Sequence, residues 1–301
     1  MRYFFKKSLP ILIILLLSGL VFFGYTYATE NLKLFLLRFS EKNFNARLSV
    51  GRVGFGFPVC LELNDVKLNN VVDVSSIRIY PNSASFLLKN SLVISRINII
   101  DPVVRIRAEE IEKLGIAVKI SAPNFLLSKI YIQNGTLIYD QEKENALEFI
   151  KIKGNLESSG FYFSKNTPIR FAATGFFKNR GSDFLSPLSI NGYLEPDDII
   201  KAKLYVSDIK VSALGYIYDK YLSRVVEEGR MDFNTDIEIS KNNLKAKCFL
   251  EGEDIVLKKE PGHKIDTPLI ASFILYANFK NKLVKVKNLQ SNFLRLILSQ
   301  S

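Results

Sequence analysis

The chain has 301 residues, of which 48% are apolar, with 41 Lys+Arg against 30 Asp+Glu, two cysteines, one histidine and no tryptophan. That apolar share excludes a largely disordered chain, and the length suits one elongated β domain or two small ones. Three-histidine and four-cysteine zinc sites are impossible, and a Ser-His-Asp triad would have to use His263, which lies in the turn-like polar stretch "KKEPGHKIDTP".

The first element in chain order is the N-terminus. "MRYFFKK" carries Arg2, Lys6 and Lys7 and no acidic residue, and the 22 residues between Lys7 and Glu30 are uncharged. As a helix they measure about 33 Å, enough for a hydrocarbon core of about 30 Å. Residues 8–29 are therefore expected to be a retained transmembrane anchor, with residues 1–7 in the cytoplasm and Tyr25 and Tyr27 at the far interface. The alternative is a cleaved signal peptide ending at Thr26-Tyr27-Ala28. Both place the remainder of the chain on the exported side. Without the three leading cations, 38 basic residues face 30 acidic ones, an excess suited to an anionic membrane surface. The lysines are spread over many segments, with no RNA-recognition signature and no compact basic–aromatic block. No nucleic-acid partner is expected.

Leu32, Phe35, Leu36 and Phe39 recur at helical spacing, so residues 30–45 predict an amphipathic helix that caps a β core beside the membrane. From about Ala46 the apolar period becomes two. "LSVGRVGFGF", "CLELNDVKL", "VVDVSSIRIY", "LVISRINI" and "PVVRIRAEE" read as short strands, with Pro81 and Pro102 each opening a new piece. "AEEIEKLGI" predicts one or two helical turns ending near Gly115. "LSKIYIQNGTLIYD", Leu127 to Asp140, predicts a hairpin turning at Asn134-Gly135 in a type I′ turn.

Strand-like runs continue through "LEFIKIKGNLE", "PIRFAATGFF", "PLSINGYLE" and "AKLYVS". "DIKVSALGYIYDKYLSRVVEEG" interrupts them as a candidate helix, with Leu214, Ile217, Tyr218, Tyr221 and Leu222 on one side and Gly229 as its stop. "MDFNTDIEIS" alternates most clearly, placing Phe233, Thr235, Ile237 and Ile239 on one face. It leads through an Asn-Asn turn to "KNNLKAKCFLE", and "IASFILYANF" pairs with "LVKVKNLQ" across "KNK". The closing "NFLRLILSQS" reads as a last apolar strand offering an edge to another subunit. With no βαβ alternation, the exported part is expected to be antiparallel β.

Chemistry-bearing residues are sparse. Cys60 and Cys248 each lie in an apolar strand-like run, as two buried thiols or as a disulfide. Asp197-Asp198, Glu227-Glu228 and Glu251–Asp254 read as solvent-facing turn residues rather than acid/base or cation-binding pairs. The glycines of "SVGRVGFGF" precede no helix, so they mark a bend or close packing rather than a phosphate cradle. No catalytic residues, metal or cofactor are expected.

The motifs "I-x-I-x-x-P-x-V-x-I" at Ile97–Ile106, "I-x-I-x-N-G-x-L-x-Y-D" at Ile130–Asp140 and "Y-L…E-x-G-x-M-x-F" within Tyr221–Ile239 carry a resemblance. Together with the anchor and "LSVGRVGFGFPVCLELNDVKL", they make the chain similar to the AsmA-like bacterial envelope proteins over most of its length. The resemblance implies a single-pass inner-membrane protein with a periplasmic AsmA-like β domain over residues 46–301. It also implies an elongated sheet curled into a groove that shields lipid acyl chains, serving lipid transport or outer-membrane biogenesis. The apolar positions expected to line that groove are Leu61, Leu63, Ile130, Ile132, Phe233, Ile237, Ile239, Val284 and Val286. Membrane lipids are the implied partners, with other envelope proteins beside them. This chain is shorter than the long members of the family. The alternative class is a scaffold or secretion-associated membrane subunit with a closed β core and no lipid cargo.

Overall fold

The computed structural model describes residues 18, 23–38, 47–69, 71–82, 92–107, 125–140, 146–158, 167–179, 184–196, 199–210, 226–240, 242–257, 268–278, 280–281 and 283–292. Among them, residues 23–38 form a helix, α1, and most of the rest form strands. These are β1 (Leu48–Gly56), β2 (Cys60–Leu68), β3 (Val72–Pro81), β4 (Leu92–Arg107), β5 (Phe125–Leu127), β6 (Lys129–Asp140) and β7 (Ala146–Ser158). They continue as β8 (Ile169–Asn179), β9 (Leu185–Leu194), β10 (Ile199–Lys210), β11 (Val226–Ser240), β12 (Asn243–Leu257), β13 (Leu269–Asn278) and β14 (Leu283–Ser291). All belong to one sheet ordered β1-β2-β3-β4-β6 and then sequentially to β14, with β5 beside β4. The extensive strand contacts are all between sheet neighbours.

The mainly β expectation is met by this sheet, with one change of direction. β6 runs parallel to β4, Ile97 pairing with Ile130 and Arg107 with Asp140, and β5 continues the same register from Leu92↔Phe125. The link between β4 and β5, residues 108–124, is 17 residues long, enough for the crossover that a parallel pair requires. The expectation of a purely antiparallel sheet fails at this step.

Leu127–Asp140 is not a hairpin. β6 passes straight through Asn134 and Gly135, because one of its edges pairs with β4 and the other with β7. Asn134 has φ 53° but Gly135 does not share the positive φ that a type I′ turn needs. The Asn-Gly pair is a bulge, at which the β7 register shifts between Ile132 and Gly135.

Asn134 also belongs to a row of irregular positions that runs across neighbouring strands. Gly51 faces Asp65, and a Cβ added to Gly51 would lie 2.9 Å from the Asp65 Cβ. Asp65 (φ 54°), Asp101 (φ 49°) and Asn134 (φ 53°) occupy matching positions on β2, β4 and β6, and Asn134 Nδ2 donates to Asp101 Oδ1 at 2.7 Å. On one side of the row Val53, Leu63, Ile77, Ile99 and Ile132 are cross-strand neighbours. On the other side the inward positions are Val50, Val66, Val74, Pro102 and Gly135, three residues along each strand rather than two. The shared extra residue creases the sheet while the ladder stays in register. Short polar Asp and Asn are the side chains that tolerate this left-handed backbone. Lys151, Asp208, Asp254 and Asn288 have the same φ on β7, β10, β12 and β14.

Other expectations shift locally. Pro102 sits inside β4, buried and directly after the left-handed Asp101, and Pro81 ends β3 rather than opening a strand. Asp208–Lys210 and Val226–Gly229, the ends of the candidate helix, are strand. Its central residues 211–225, including Leu214, Ile217, Tyr218, Tyr221 and Leu222, lie outside the described residues, as do Gly115 and the rest of 108–116. The β11–β12 hairpin closes with Ser240 opposite Asn243, so Asn243 belongs to β12 rather than to the expected Asn-Asn turn. β13 and β14 pair from Asn278↔Leu283 across the expected stretch. The final described strand is β14, and residues 293–301 are not described.

Helix α1 crosses the expected boundary between anchor (8–29) and capping helix (30–45) without a break. Among the described residues no helix is long and apolar enough to cross a membrane, and residues 1–17 and 19–22 lie outside them. α1 packs Leu32, Leu36 and Leu37 on the cluster of Val50, Val53, Leu63, Val66 and Val74. Tyr25 Oη accepts the Phe55 N–H at 3.3 Å and Lys33 Nζ donates to the Gly51 carbonyl at 3.0 Å. The helix therefore runs along β1 in the opposite direction and covers its free edge, as sheet edges require.

The bulge row carries a test. Asn134→Ile forces a β-branched residue into the left-handed region and should cost about 1–2 kcal/mol more than Asn134→Gly. Chemical denaturation of the two variants measures it, and equal midpoints would contradict the bulge.

Candidate functional site

Residues paired across a β ladder project from the same face, so the register assigns every side chain to one of two surfaces. One line crosses the whole sheet: Phe55, Leu61, Ile79, Ile97, Ile130, Leu156, Phe171, Gly192, Ala202, Ile237, Ala246, Leu275 and Val286 are successive partners from β1 to β14. None is charged or polar. At about 4.8 Å per strand this line is roughly 58 Å long, measured along the sheet. The neighbouring line, from Val53 and Leu63 through Ile99, Ile132 and Leu204 to Thr235, Cys248 and Phe273, holds only a hydroxyl and a thiol as polar groups.

The charges lie on the other face. Beside Ile237 and Ala246, the outward rows read Arg170, Tyr193, Lys201, Glu238, Lys245, Tyr276, Lys285 and Asn191, Lys203, Asp236, Lys247, Ile274, Lys287. Ion pairs such as Arg78–Glu62 at 3.0 Å and Lys203–Asp236 at 3.9 Å join neighbouring strands on this surface. Exposed pairs of this kind contribute little stability. A depression of about 340 Å³ bordered by Lys201, Lys203, Asp236, Glu238, Lys245 and Lys247 also opens among these charges, where opposite signs already neighbour one another.

The register places all nine candidate residues on the uncharged face. Leu61, Leu63, Ile130 and Ile132 lie toward the β1 end, and Phe233, Ile237 and Ile239 on β11. Val284 and Val286 lie on the edge strand. They differ in surroundings. Leu63 is buried and belongs to the α1-covered cluster. Phe233 packs on a second cluster of Phe177, Val206 and Ile209. Val284 and Val286 remain 64% and 54% exposed although they face the same way. The uncharged face is thus covered by α1 at one end and open along β14. The other large apolar side chains of β14, Leu283 and Leu289, are also exposed.

The positions missed in the sequence are those that shape the face. Asp208 bulges β10, and its N–H donates to Asp232 Oδ1 at 2.8 Å. Asp232 Oδ2 accepts the Tyr205 hydroxyl at 2.8 Å. Gly192 lies in the apolar line where an added Cβ would collide with the Lys201 carbonyl oxygen and the Ala202 Cα. A usable signal exists: in "NDV", "IDP", "QNG", "SDI" and "EDI", an Asp or Asn interrupts the alternation directly before a buried or inward residue.

Among the described residues no three His, Cys, Asp or Glu side chains converge as metal ligands. Cys60 and Cys248 are separate buried thiols, on β2 and β12. Glu251–Asp254, expected in a turn, lies within β12, with Gly252 turned inward and Asp254 on a bulge. Glu228 lies in β11, whereas Asp197, Asp198 and His263 are outside the described residues.

Two measurements follow. Ile237→Asp puts a carboxylate into the apolar line and should destabilise the protein by several kcal/mol, whereas Asp236→Asn should stay within about 0.5 kcal/mol; similar losses in denaturation would contradict the assignment of faces. The hydrogen bond to Asp232 raises the Tyr205 phenol above its ordinary value of 10, with burial adding to the shift. The folded state therefore holds this proton more tightly than the unfolded one, so its stabilising contribution is complete below pH 10 and lost as pH rises through the raised value. The parent should lose stability more steeply than Tyr205→Phe above pH 10, and parallel profiles would refute the coupling.

No family model, curated protein or solved structure matches this chain.

Proposed function

We propose that this protein is anchored once in a bacterial inner membrane and uses the uncharged face of its sheet to shelter lipid acyl chains on the exported side, as an AsmA-like envelope protein. It serves lipid transport or outer-membrane biogenesis, and no reacting side chain takes part. The observation that carries this reading is the apolar line from Phe55 to Val286, with the neighbouring charges on the opposite face. Each methylene kept from water on such a surface contributes about 0.8 kcal/mol. A long apolar track therefore retains a hydrocarbon chain without any fixed polar contact. The uncharged residues 8–29 supply the anchor, and the leading cations keep the N-terminus in the cytoplasm.

The alternative of a scaffold with a closed core needs the face to be sealed. β1 and β14 do not pair, and the inward valines of β14 are exposed, which favours a groove.

Native mass spectrometry of the full chain extracted in mild detergent tests the reading. The parent should carry phospholipid. Val286→Asp places a charge on an exposed part of the face, so it should lower lipid occupancy several-fold while moving stability by only about 0.5 kcal/mol. Lys285→Asp, on the opposite face, should leave occupancy unchanged. A parent without lipid, or equal occupancy in both variants, would overturn the proposal.

A further inference from the structure

The corner where α1 meets β1 carries a second apolar surface, separate from the groove. The β1–β2 connection is Phe57-Pro58-Val59, and the eight residues from Gly54 to Leu61 contain no charged side chain. Turns that face water are built from Gly, Pro, Asn, Asp and Ser. This one instead presents Phe57 at 99% and Val59 at 78% exposure, next to Phe55 at 54%. A contiguous exposed apolar patch of this kind marks an interaction site, unlike single scattered apolar residues.

The position of the turn identifies what it meets. The Tyr25 ring stacks edge-on against Phe55 at 6.0 Å, and its hydroxyl accepts the Phe55 N–H. Gly54 makes room for this contact, since a Cβ there would lie 2.9 Å from the Tyr25 hydroxyl oxygen. Lys33, two turns further along α1, bonds back to Gly51. The N-terminal end of α1 is thereby fixed at the Phe55 end of β1, beside the turn. Tyr27, 76% exposed, projects from the same stretch of helix. The chain preceding this point is the uncharged run that begins at Ser8. An aromatic-rich turn pinned where an apolar segment leaves the sheet matches the interfacial region of a bilayer, which Tyr, Trp and neighbouring apolar groups favour.

We infer that the Phe57-Pro58-Val59 turn is a membrane-contacting tip, seated in the interface of the bilayer that the uncharged run from Ser8 enters. This holds the β1 end of the sheet against the lipid surface. The inference rests on the anchor in the reading above but not on lipid cargo in the groove.

The absence of native tryptophan supplies the test, because Phe57→Trp becomes the sole indole in the chain. The full chain is reconstituted in phosphatidylethanolamine–phosphatidylglycerol vesicles with ordinary or brominated acyl chains, and its emission is compared with that of Phe249→Trp on the outward face of β12. The expected result is a blue-shifted Phe57→Trp emission, quenched by brominated lipid several-fold more than Phe249→Trp and protected from iodide. Val59→Trp should behave like Phe57→Trp, which guards against a local misfolding effect at one position. If the protein floats with the vesicles but both tip indoles emit as in water, the tip is refuted and the anchor stands. If the protein does not float, tip and anchor fall together. Lipid occupancy of the groove changes neither outcome.

Discussion

An ionised side chain on the inner face of this sheet would lie against apolar neighbours on both flanking strands, with no partner charge in reach. Desolvating such a group costs several kcal/mol, comparable to the whole stability of a domain. The exclusion of charge from one face is therefore the constraint behind the other features. It acts through register. Side chains alternate with period two, so a one-residue slip of any strand would carry its lysines and glutamates inward. From Phe55 to Val286, thirteen strands satisfy this condition together.

The crease is compatible with that constraint only because it is shared. An extra residue in one strand would reverse the facing of everything beyond it. Here Gly51 and Asp65 on β1 and β2, the Val74–Ile77 step on β3, and Asp101 and Asn134 on β4 and β6 lie at one level, so neighbouring strands change phase together and the apolar partners still match. The Asn134–Asp101 hydrogen bond joins two of these left-handed positions, and Asp232 stabilises the bulge at Asp208 by accepting its N–H. Bulges also increase bend and twist. The same residues that preserve the uncharged face thus curve it. The edges are treated unequally: α1 covers β1, while β14 leaves apolar side chains in the open.

Much of the face was readable from alternation. In "MDFNTDIEIS" and in the "VKVK" of "LVKVKNLQ", successive residues alternate between the faces, and the register puts Ile237, Ile239, Val284 and Val286 on the same side. Leu61, Leu63, Ile130 and Ile132 followed from shorter runs. The failures came where a local signal has two structural meanings. Asn-Gly suits a type I′ turn and equally a bulge, and only the pairing of β6 with both β4 and β7 decides between them. Pro102 resembles a strand start, but it follows the left-handed Asp101 in mid-strand. The parallel step between β4 and β6 depends on a long connection whose path no local pattern records. Asp and Asn immediately before an inward residue, as at Asp65-Val66 and Asp208-Ile209, are the detectable trace of the crease.

The central claim is that hydrocarbon lies along the uncharged face. A phospholipid with a photoreactive group in its acyl chain tests this directly: crosslinking to the membrane-reconstituted protein, followed by peptide mass spectrometry, locates the contact. The account predicts adducts at inward positions of β11 and β14, including Ile237, Val284 and Val286. Adducts confined to residues 8–38, or to outward positions such as Lys203 and Lys247, would contradict it.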